Sequence, residues 1–222
     1  MHRRRLAPIT KTIDIGGAPL VIREWGDPGG TPLLFWHSVG PGGTGATFAV
    51  AAEPLASAGV RVIVPDAPGF GLSPARPAEA YGLERLGRLL WDVADAVGVD
   101  RAVVSGHSWG GAVAVAAAGL DGAIETRCDP AARGAVLYAL THERPSVFWP
   151  AIATAAIPTL VLLATEPEAV KEANERLVQR FAEAVPTAEI IPLEACRHQV
   201  FADLGPRSGT LVADWLHGRA LA

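Results

Sequence analysis

A serine framed by glycines is the residue of this chain whose setting best suits chemistry. The letters GHSWG, residues 106–110, follow a short apolar run at residues 101–104 and lead into an alanine-rich run at residues 112–118. This pattern predicts a strand, a sharp turn and a helix, with Ser108 on the turn. Such a turn strains the backbone and brings the helix close to the strand, which explains the two glycines. Ser108 is therefore a candidate nucleophile, the alternative being a glycine-rich turn that only packs a helix on a strand.

A nucleophilic serine needs other groups around it. The hydroxyl of Ser108 is a weak nucleophile near neutral pH, so it requires a base within hydrogen-bond reach and a group that orients the base. The tetrahedral intermediate of acyl transfer further requires backbone donors aimed at the developing negative charge. Residues far apart in the sequence must therefore meet at the serine turn.

The elements that would bring them together alternate along the chain. Apolar runs predict an edge hairpin over residues 13–25 and buried strands at residues 32–36, 60–64, 101–104, 135–140, 159–163 and 189–193. Apolar residues at helical spacing predict helices over residues 44–58, 81–97, 112–118, 170–185 and 211–216. This rhythm predicts an α/β protein with about eight strands in a mostly parallel sheet, covered by helices on both faces.

Bulk properties narrow the class of partner. The chain has 222 residues, 50% of them hydrophobic, and a formal net charge of −4. We expect a basic tail, residues 1–8, and one domain, residues 9–222. The charge disfavours nucleic acid, and no apolar run is long enough to span a membrane. Cys128 and Cys196 are too few for a disulfide framework and too far apart for metal-ligand spacing. The sequence thus predicts a cytoplasmic protein that acts on a small molecule without a metal or other cofactor.

Three loops carry motifs in a fixed order. They are residues 36–40 after the third predicted strand, residues 65–73 after the fourth and residues 106–111 after the fifth. Followed by a late histidine, these motifs resemble those of the α/β-hydrolase superfamily over nearly the whole chain. The resemblance implies the α/β-hydrolase fold and the chain order serine, acid, histidine for a catalytic triad.

The resemblance also assigns roles to histidines and to the first loop. It implies that His198, directly after the last predicted strand, is the base, whereas His107 packs beside the nucleophile. The amides of Val39 and Trp109 are the implied oxyanion hole. Ser38 replaces the glycine that is usual in this loop, so its hydroxyl either adds a donor or fills space.

Other residues are expected near the substrate or away from it. We expect His37 and Ser38 to contact the substrate from the loop after the third strand. His217 is expected to be solvated near the end of the last helix, where its charge would suit the helix dipole.

The acid is the point at which the sequence departs from the superfamily pattern. After the strand at residues 159–163 the expected aspartate is replaced by Pro167, flanked by Glu166 and Glu168. Some relatives take the acid from the end of the preceding strand, where Glu143 lies. We rank Glu166 first and keep Glu143 and Glu168 as alternatives, together with a site that has no acid.

A separate cap is not expected over the site. Only residues 141–157 separate the sixth strand from the seventh, which is too short for a domain. We therefore expect an open site. Apolar side chains of this segment either form a wall against the substrate or pack a short helix. They are Val147, Phe148, Trp149 and Ile152, of which Phe148 and Trp149 are our candidates for contact with the substrate.

These residues predict a serine hydrolase that cleaves a carboxylic ester or a related acyl bond through an acyl-enzyme. An open site favours water as the second acceptor. Acyl transfer, carbon–carbon hydrolysis and perhydrolysis use the same motifs, and a ligand-binding protein that lost its triad is the alternative of another class. Serine in place of a carboxylate speaks against a dehalogenase. A homodimer that buries apolar surface near the open site is the alternative to a monomer.

Overall fold

One mixed sheet forms the centre of the protein. The structure is a computed structural model, and it describes residues 7–40, 43–120, 135–138 and 144–220. The strands within these residues are β1 (Ile9–Ile15), β2 (Ala18–Trp25), β3 (Thr31–Trp36), β4 (Val60–Pro65), β5 (Val103–His107), β6 (Ala135–Tyr138), β7 (Thr159–Ala164) and β8 (Ala188–Leu193). They form one eight-stranded sheet in the order β1-β2-β4-β3-β5-β6-β7-β8. The described strands lie close to the apolar runs from which the sequence predicts a mostly parallel sheet.

Strand direction follows the prediction as well. β1 pairs antiparallel with β2, and β2 pairs antiparallel with β4, whereas the remaining neighbours are parallel. Every residue of β4 and of β7 is buried, as expected for strands covered on both faces. Because the carboxyl ends of parallel strands meet at one edge, the loops after β3, β4, β5, β7 and β8 converge there.

Helices cover both faces of this sheet. They are α1 (Ala49–Ser57), α2 (Leu83–Ala96), α3 (Trp109–Gly119), α4 (Trp149–Thr154), α5 (Glu168–Ala184), α6 (Val200–Leu204) and α7 (Arg207–Ala220), with 3-10 turns at Gly45–Phe48, Ala78–Tyr81 and Arg144–Phe148. In the part of the chain that the structure describes, none of the helices has the length and apolar character that crossing a membrane requires. Between β6 and β7, the described residues from 144 onward form a 3-10 turn and α4 instead of a cap domain.

A cluster of aromatic rings fixes the short helix α6, which the sequence patterns did not predict. Phe35 on β3 stacks on Phe48 with ring centroids 3.7 Å apart. Phe201 on α6 meets both rings edge-on, at 5.7 Å and 5.2 Å. The helix is only five residues long, too short to be stable alone, so this packing holds it against the sheet. α6 in turn fixes the chain that immediately precedes it.

Candidate active site

Ser108 occupies a strained turn between β5 and α3. Its φ of 56° and ψ of −118° lie in a region that residues with a side chain rarely adopt. A Cβ atom on Gly106 would lie 2.0 Å from the carbonyl oxygen of Gly110, and one on Gly110 would lie 2.0 Å from that of Trp36. Both positions therefore require glycine, because β3, β5 and α3 meet there backbone to backbone. This contact presents the serine at the carboxyl edge of the sheet.

The side chain of His198 lies against this serine. Its Nε2 atom is 2.9 Å from Ser108 Oγ, although 90 positions separate the two residues in the chain. His198 belongs to the base loop, which we define as residues 194–199 between β8 and α6. The structure thus brings together the predicted nucleophile and the predicted base.

Hydrogen bonds from three directions hold the base loop. The amide of Glu166, after β7, donates to the carbonyl oxygen of Cys196 at 2.9 Å. The amide of Arg197 donates to Asp203 Oδ2 on α6 at 2.7 Å, and the Arg197 guanidinium binds the same carboxylate, which lowers the pKa of Asp203. His107 Nε2 lies 2.6 Å from the carbonyl oxygen of His198. The sequence did not indicate the Arg197–Asp203 pair, because residues six positions apart do not contact each other within a regular helix or strand.

His37 is the first residue of the β3 loop, which we define as the described residues 37–40 and 43, and it is buried. The ring is 1% exposed. Its Nδ1 donates to the carbonyl oxygen of Ser38 at 2.7 Å, and its Nε2 accepts from the amide of Ala67 at 2.8 Å. Burial lowers the pKa of His37. Through these two hydrogen bonds the ring joins the loops after β3 and β4, and the expected contact of His37 with substrate stays a prediction.

A buried ion pair supports the same loops. Asp66 is fully buried, and its Oδ1 binds Arg23 Nη1 on β2 at 2.5 Å. The amide of Gly45 donates to Oδ1 at 2.7 Å, and the amide of Leu72 donates to Oδ2 at 2.9 Å. One carboxylate thus joins β2, the start of the first 3-10 turn and the loop after β4. Its signal in the sequence is a lone acidic residue in an apolar loop that follows a fully buried strand.

A cavity opens beside His107. Its volume is about 460 Å³, and it lies between the β3 loop, the start of α1 and α6. The described residues that line it are Ser38, Val39, Gly40, Gly43, Thr47, Val50, His107, Gln199, Phe201 and Ala202. None of them is Asp, Glu, Lys or Arg, and burial lowers the pKa of His107 to about 4. The described wall of this cavity is therefore uncharged near neutral pH.

The predicted apolar wall after β6 lies elsewhere. Phe148 packs against Gly119, at the end of α3 about 15 Å from Ser108. Trp149 and Ile152 are buried, with Trp149 packed on Phe181 of α5 at 5.3 Å, whereas Val147 is 74% exposed. Phe148 and Trp149 thus pack on neighbouring helices and are not among the described residues that line the cavity beside His107, and their contact with substrate stays a prediction.

The three candidate acids are placed differently. The backbone of Glu166 bonds to the base loop, but its carboxylate makes no hydrogen bond to His198 among the described contacts. Glu168 is the first residue of α5, and only its backbone is described. Glu143 lies outside the described residues. No group of three or more His, Cys, Asp or Glu side chains in the described ranges could hold a metal ion.

Comparisons with known proteins agree with the fold described above. A family model of the alpha/beta hydrolase fold matches residues 31–132, which include the loop after β3 and the serine turn. A CIB-like hydrolase from Thermoplasma acidophilum superposes with a TM-score of 0.81 at 19% identity, over 96% of this chain and 99% of that chain. The chain has the α/β-hydrolase fold. The fold implied by the sequence motifs is thereby confirmed.

Two epoxide hydrolases are similar to this chain over different lengths. The structure of Epoxide Hydrolase A from Mycobacterium thermoresistibile gives a TM-score of 0.76 at 15% identity, over 95% of this chain and 98% of that chain. Epoxide hydrolase A of Mycobacterium tuberculosis is 36% identical over 109 residues, 48% of this chain and 33% of the relative. That match therefore spans about a third of the relative's length.

Proposed function

We propose that this α/β hydrolase is an enzyme that cleaves a carboxylic ester, or a related acyl bond, of a small molecule through an acyl-enzyme. The observation that carries the proposal is the distance of 2.9 Å between His198 Nε2 and Ser108 Oγ at the strained turn. A serine and a histidine at hydrogen-bond distance are the pair that nucleophilic acyl transfer requires.

The reaction would begin with attack of Ser108 Oγ on the acyl carbon while His198 Nε2 accepts the hydroxyl proton. His198 then returns this proton to the leaving alcohol, and the acyl group stays on Ser108 as an ester. In the second half, His198 removes a proton from water, which attacks the acyl-enzyme and releases the acid and the free serine.

The amides of Val39 and Trp109 are the proposed donors to the oxyanion. Trp109 is the first residue of α3, so its amide lies at the positive end of the helix dipole. Val39 follows the segment that His37 holds from behind, and its side chain is 50% exposed. Two fixed donors beside the nucleophile would stabilise the tetrahedral intermediate by several kcal/mol, about 3 for each donor.

Glu166 is the proposed acid that orients His198. Its amide already bonds to the base loop at 2.9 Å, so its side chain starts next to that loop, and a glutamate reaches farther than the usual aspartate. Glu143 and Glu168 are the alternatives, because Glu143 follows the sixth predicted strand in the sequence and Glu168 is the first residue of α5.

The cavity supports a preference for uncharged substrates. Its described wall combines apolar side chains, such as Val50 and Phe201, with hydroxyl and amide groups, such as Thr47 and Gln199. An ionised substrate group placed there would lose hydration without meeting an opposite charge. We expect esters with short, uncharged acyl or alcohol groups to be better substrates than their carboxylate-bearing analogues.

Epoxide hydrolysis is a second candidate because of the similarity to Epoxide hydrolase A. Opening an epoxide by covalent catalysis requires a carboxylate nucleophile, since the resulting ester can be hydrolysed. Attack by Ser108 would instead give an ether, which water does not cleave under these conditions. The serine therefore favours acyl chemistry.

The test is hydrolysis of 4-nitrophenyl acetate and of a panel of epoxides by the wild-type protein and by Ser108→Ala. We expect ester hydrolysis that the substitution reduces to background, and labelling of Ser108 by a fluorophosphonate. Equal ester hydrolysis by both proteins would refute the proposal. Turnover of epoxides without ester hydrolysis would favour the second candidate.

A further inference from the structure

His107, the residue before the nucleophile, makes contacts that the proposed reaction does not use. It is the last residue of β5, and its ring is 2% exposed. Its Nε2 lies 2.6 Å from the carbonyl oxygen of His198. Because a carbonyl oxygen only accepts hydrogen bonds, this nitrogen carries the proton and donates. The strand that leads to Ser108 is thus bonded directly to the backbone of the proposed base.

The ring of His107 also packs against the base loop and α6. Its centroid is 5.1 Å from that of the His198 ring and 5.2 Å from that of Phe201, the latter in an edge-on arrangement. Since Phe201 is fixed in the aromatic cluster with Phe35 and Phe48, His107 is held on a rigid support. It therefore contacts His198 from a surface that cannot readily shift.

The remaining bonds of the base loop reach other residues. Glu166 bonds to Cys196, and Asp203 bonds to Arg197, whose side chain is 71% exposed. In the described structure, the carbonyl group of His198 itself is held by His107. Burial keeps the pKa of His107 near 4, so its ring is neutral at pH 7 and adds no positive charge beside an imidazole that must become protonated during acyl transfer.

We propose that His107 is a positioning residue, whose Nε2–H bond to the backbone of His198 holds the base at bonding distance from Ser108. This inference rests on the proposed roles of Ser108 and His198. It assigns to the second letter of GHSWG a function beyond the packing that its position in the sequence suggests.

Three substitutions separate the hydrogen bond from the volume of the ring. In His107→Gln the side-chain amide can reach the position of Nε2 and donate, whereas in His107→Asn it is too short to do so. His107→Phe keeps a ring without a donor. We expect His107→Asn and His107→Phe to lower kcat for 4-nitrophenyl acetate by roughly 10- to 100-fold with KM changed less than about threefold, because small misplacements of a catalytic group reduce the rate that much. His107→Gln should recover most of kcat.

The matched control is His217→Phe. The Nε2 atom of His217 also lies near a backbone carbonyl, that of Ala58 at 3.1 Å, but His217 is exposed on α7. We expect this variant to keep kcat within about twofold of the wild type. If His107→Gln is no more active than His107→Asn, or if the effect falls on KM alone, His107 only fills space and the inference is overturned. The comparison of Gln with Asn decides the matter even if His107→Phe does not fold.

A readout without substrate distinguishes this inference from the proposed function. Amide hydrogen exchange in the base loop should become at least about tenfold faster in His107→Asn than in the wild type, and should stay close to the wild type in His107→Gln. Unchanged exchange in His107→Asn would count against the positioning role. If exchange changes as expected but Ser108→Ala keeps full esterase activity, then only the proposed function fails.

Discussion

Ser108 shows how strain and chemistry are combined in one residue. Its positive φ costs on the order of 1–3 kcal/mol, which the surrounding backbone contacts must offset. Those contacts are close enough to exclude any side chain at Gly106 and Gly110. The strain presents the hydroxyl at the edge of the sheet, 2.9 Å from His198 Nε2, where a relaxed helical residue would point elsewhere.

The acid that orients His198 can be identified by single substitutions that keep shape. We expect Glu166→Gln to lower kcat/KM by roughly 10³- to 10⁴-fold, since loss of the orienting carboxylate has effects of this size in serine hydrolases. Glu143→Gln and Glu168→Gln should stay within about threefold of the wild type. Steady-state kinetics on 4-nitrophenyl acetate provides the measurement.

The outcome of that series also locates the acid in the fold. A large loss in Glu143→Gln alone would assign the acid to the chain between β6 and β7, and a loss in Glu168→Gln alone would assign it to the first turn of α5. Small effects in all three variants would mean that His198 works without an orienting glutamate.

At the scale of elements, the contact between α3 and the sheet depends on which face of the helix carries a glycine. Gly110→Ala would place a Cβ 2.0 Å from the carbonyl oxygen of Trp36, and neither backbone can yield without moving the serine turn. We expect this variant to lose several kcal/mol of stability, on the scale of severe core overpacking, or not to fold. Circular dichroism and urea unfolding would show the loss.

The adjacent glycine is the matched control. A Cβ on Gly111 would have its nearest neighbour, the carbonyl oxygen of Gly106, at 3.5 Å, which is ordinary van der Waals contact. Alanine is also the better helix former by about 1 kcal/mol. Gly111→Ala should therefore fold with unchanged or slightly raised stability, and a loss equal to that of Gly110→Ala would contradict the proposed cause.

The loops at the site depend on the ion pair between β2 and the loop after β4. Replacing Asp66 by Asn leaves the Arg23 charge buried without a partner, so we expect a loss of about 3–5 kcal/mol in urea unfolding. Glu84→Gln breaks the exposed pair with Arg88, whose side chains are 62% and 61% exposed, and should cost less than about 1 kcal/mol. Comparable losses in the two variants would argue against a special role for Asp66.

For the whole molecule, two buried histidines predict how stability changes with pH. Burial lowers the pKa of His107 to about 4 and also lowers that of His37. Between pH 6.5 and 4 the unfolded chain binds a proton at His107 and the folded chain does not, so the free energy of unfolding must fall as the pH is lowered through this window. The lowered pKa of His37 acts in the same direction. The expected loss from His107 alone is about 3 kcal/mol.

Urea unfolding at pH 7.5, 6, 5 and 4.5 measures this dependence. His107→Gln removes one of the two groups, so its stability should fall less steeply with acid than that of the wild type. A slope that is identical in the two proteins would mean that His107 is not the titrating group.

Much of this molecule follows from its sequence, for physical reasons that can be named. Apolar runs such as β4 are buried on both faces, so the strands of the sheet can be predicted from the local sequence pattern. The serine turn and His198 can also be predicted from the sequence, because the neighbouring positions accept only certain residue types. By contrast, the ion pairs of Asp66 with Arg23 and of Asp203 with Arg197 join residues without a regular spacing, so the sequence does not predict them. The pairing of His198 with an acid is of the same kind. Phe148 and Trp149 look alike in sequence whether they line a site or pack a helix.

Cys196, buried in the base loop two residues before His198, can report how often this loop opens. Its side chain is inaccessible, and burial raises the pKa of its thiol, so an alkylating reagent can react only when the loop opens. In a protein with Cys128 replaced by serine, the labelling rate of Cys196 would thus count opening events of the segment that carries the base. An inhibitor bonded to Ser108 should lower this labelling rate. The rate without inhibitor would show how often the loop that carries His198 opens in the unliganded protein.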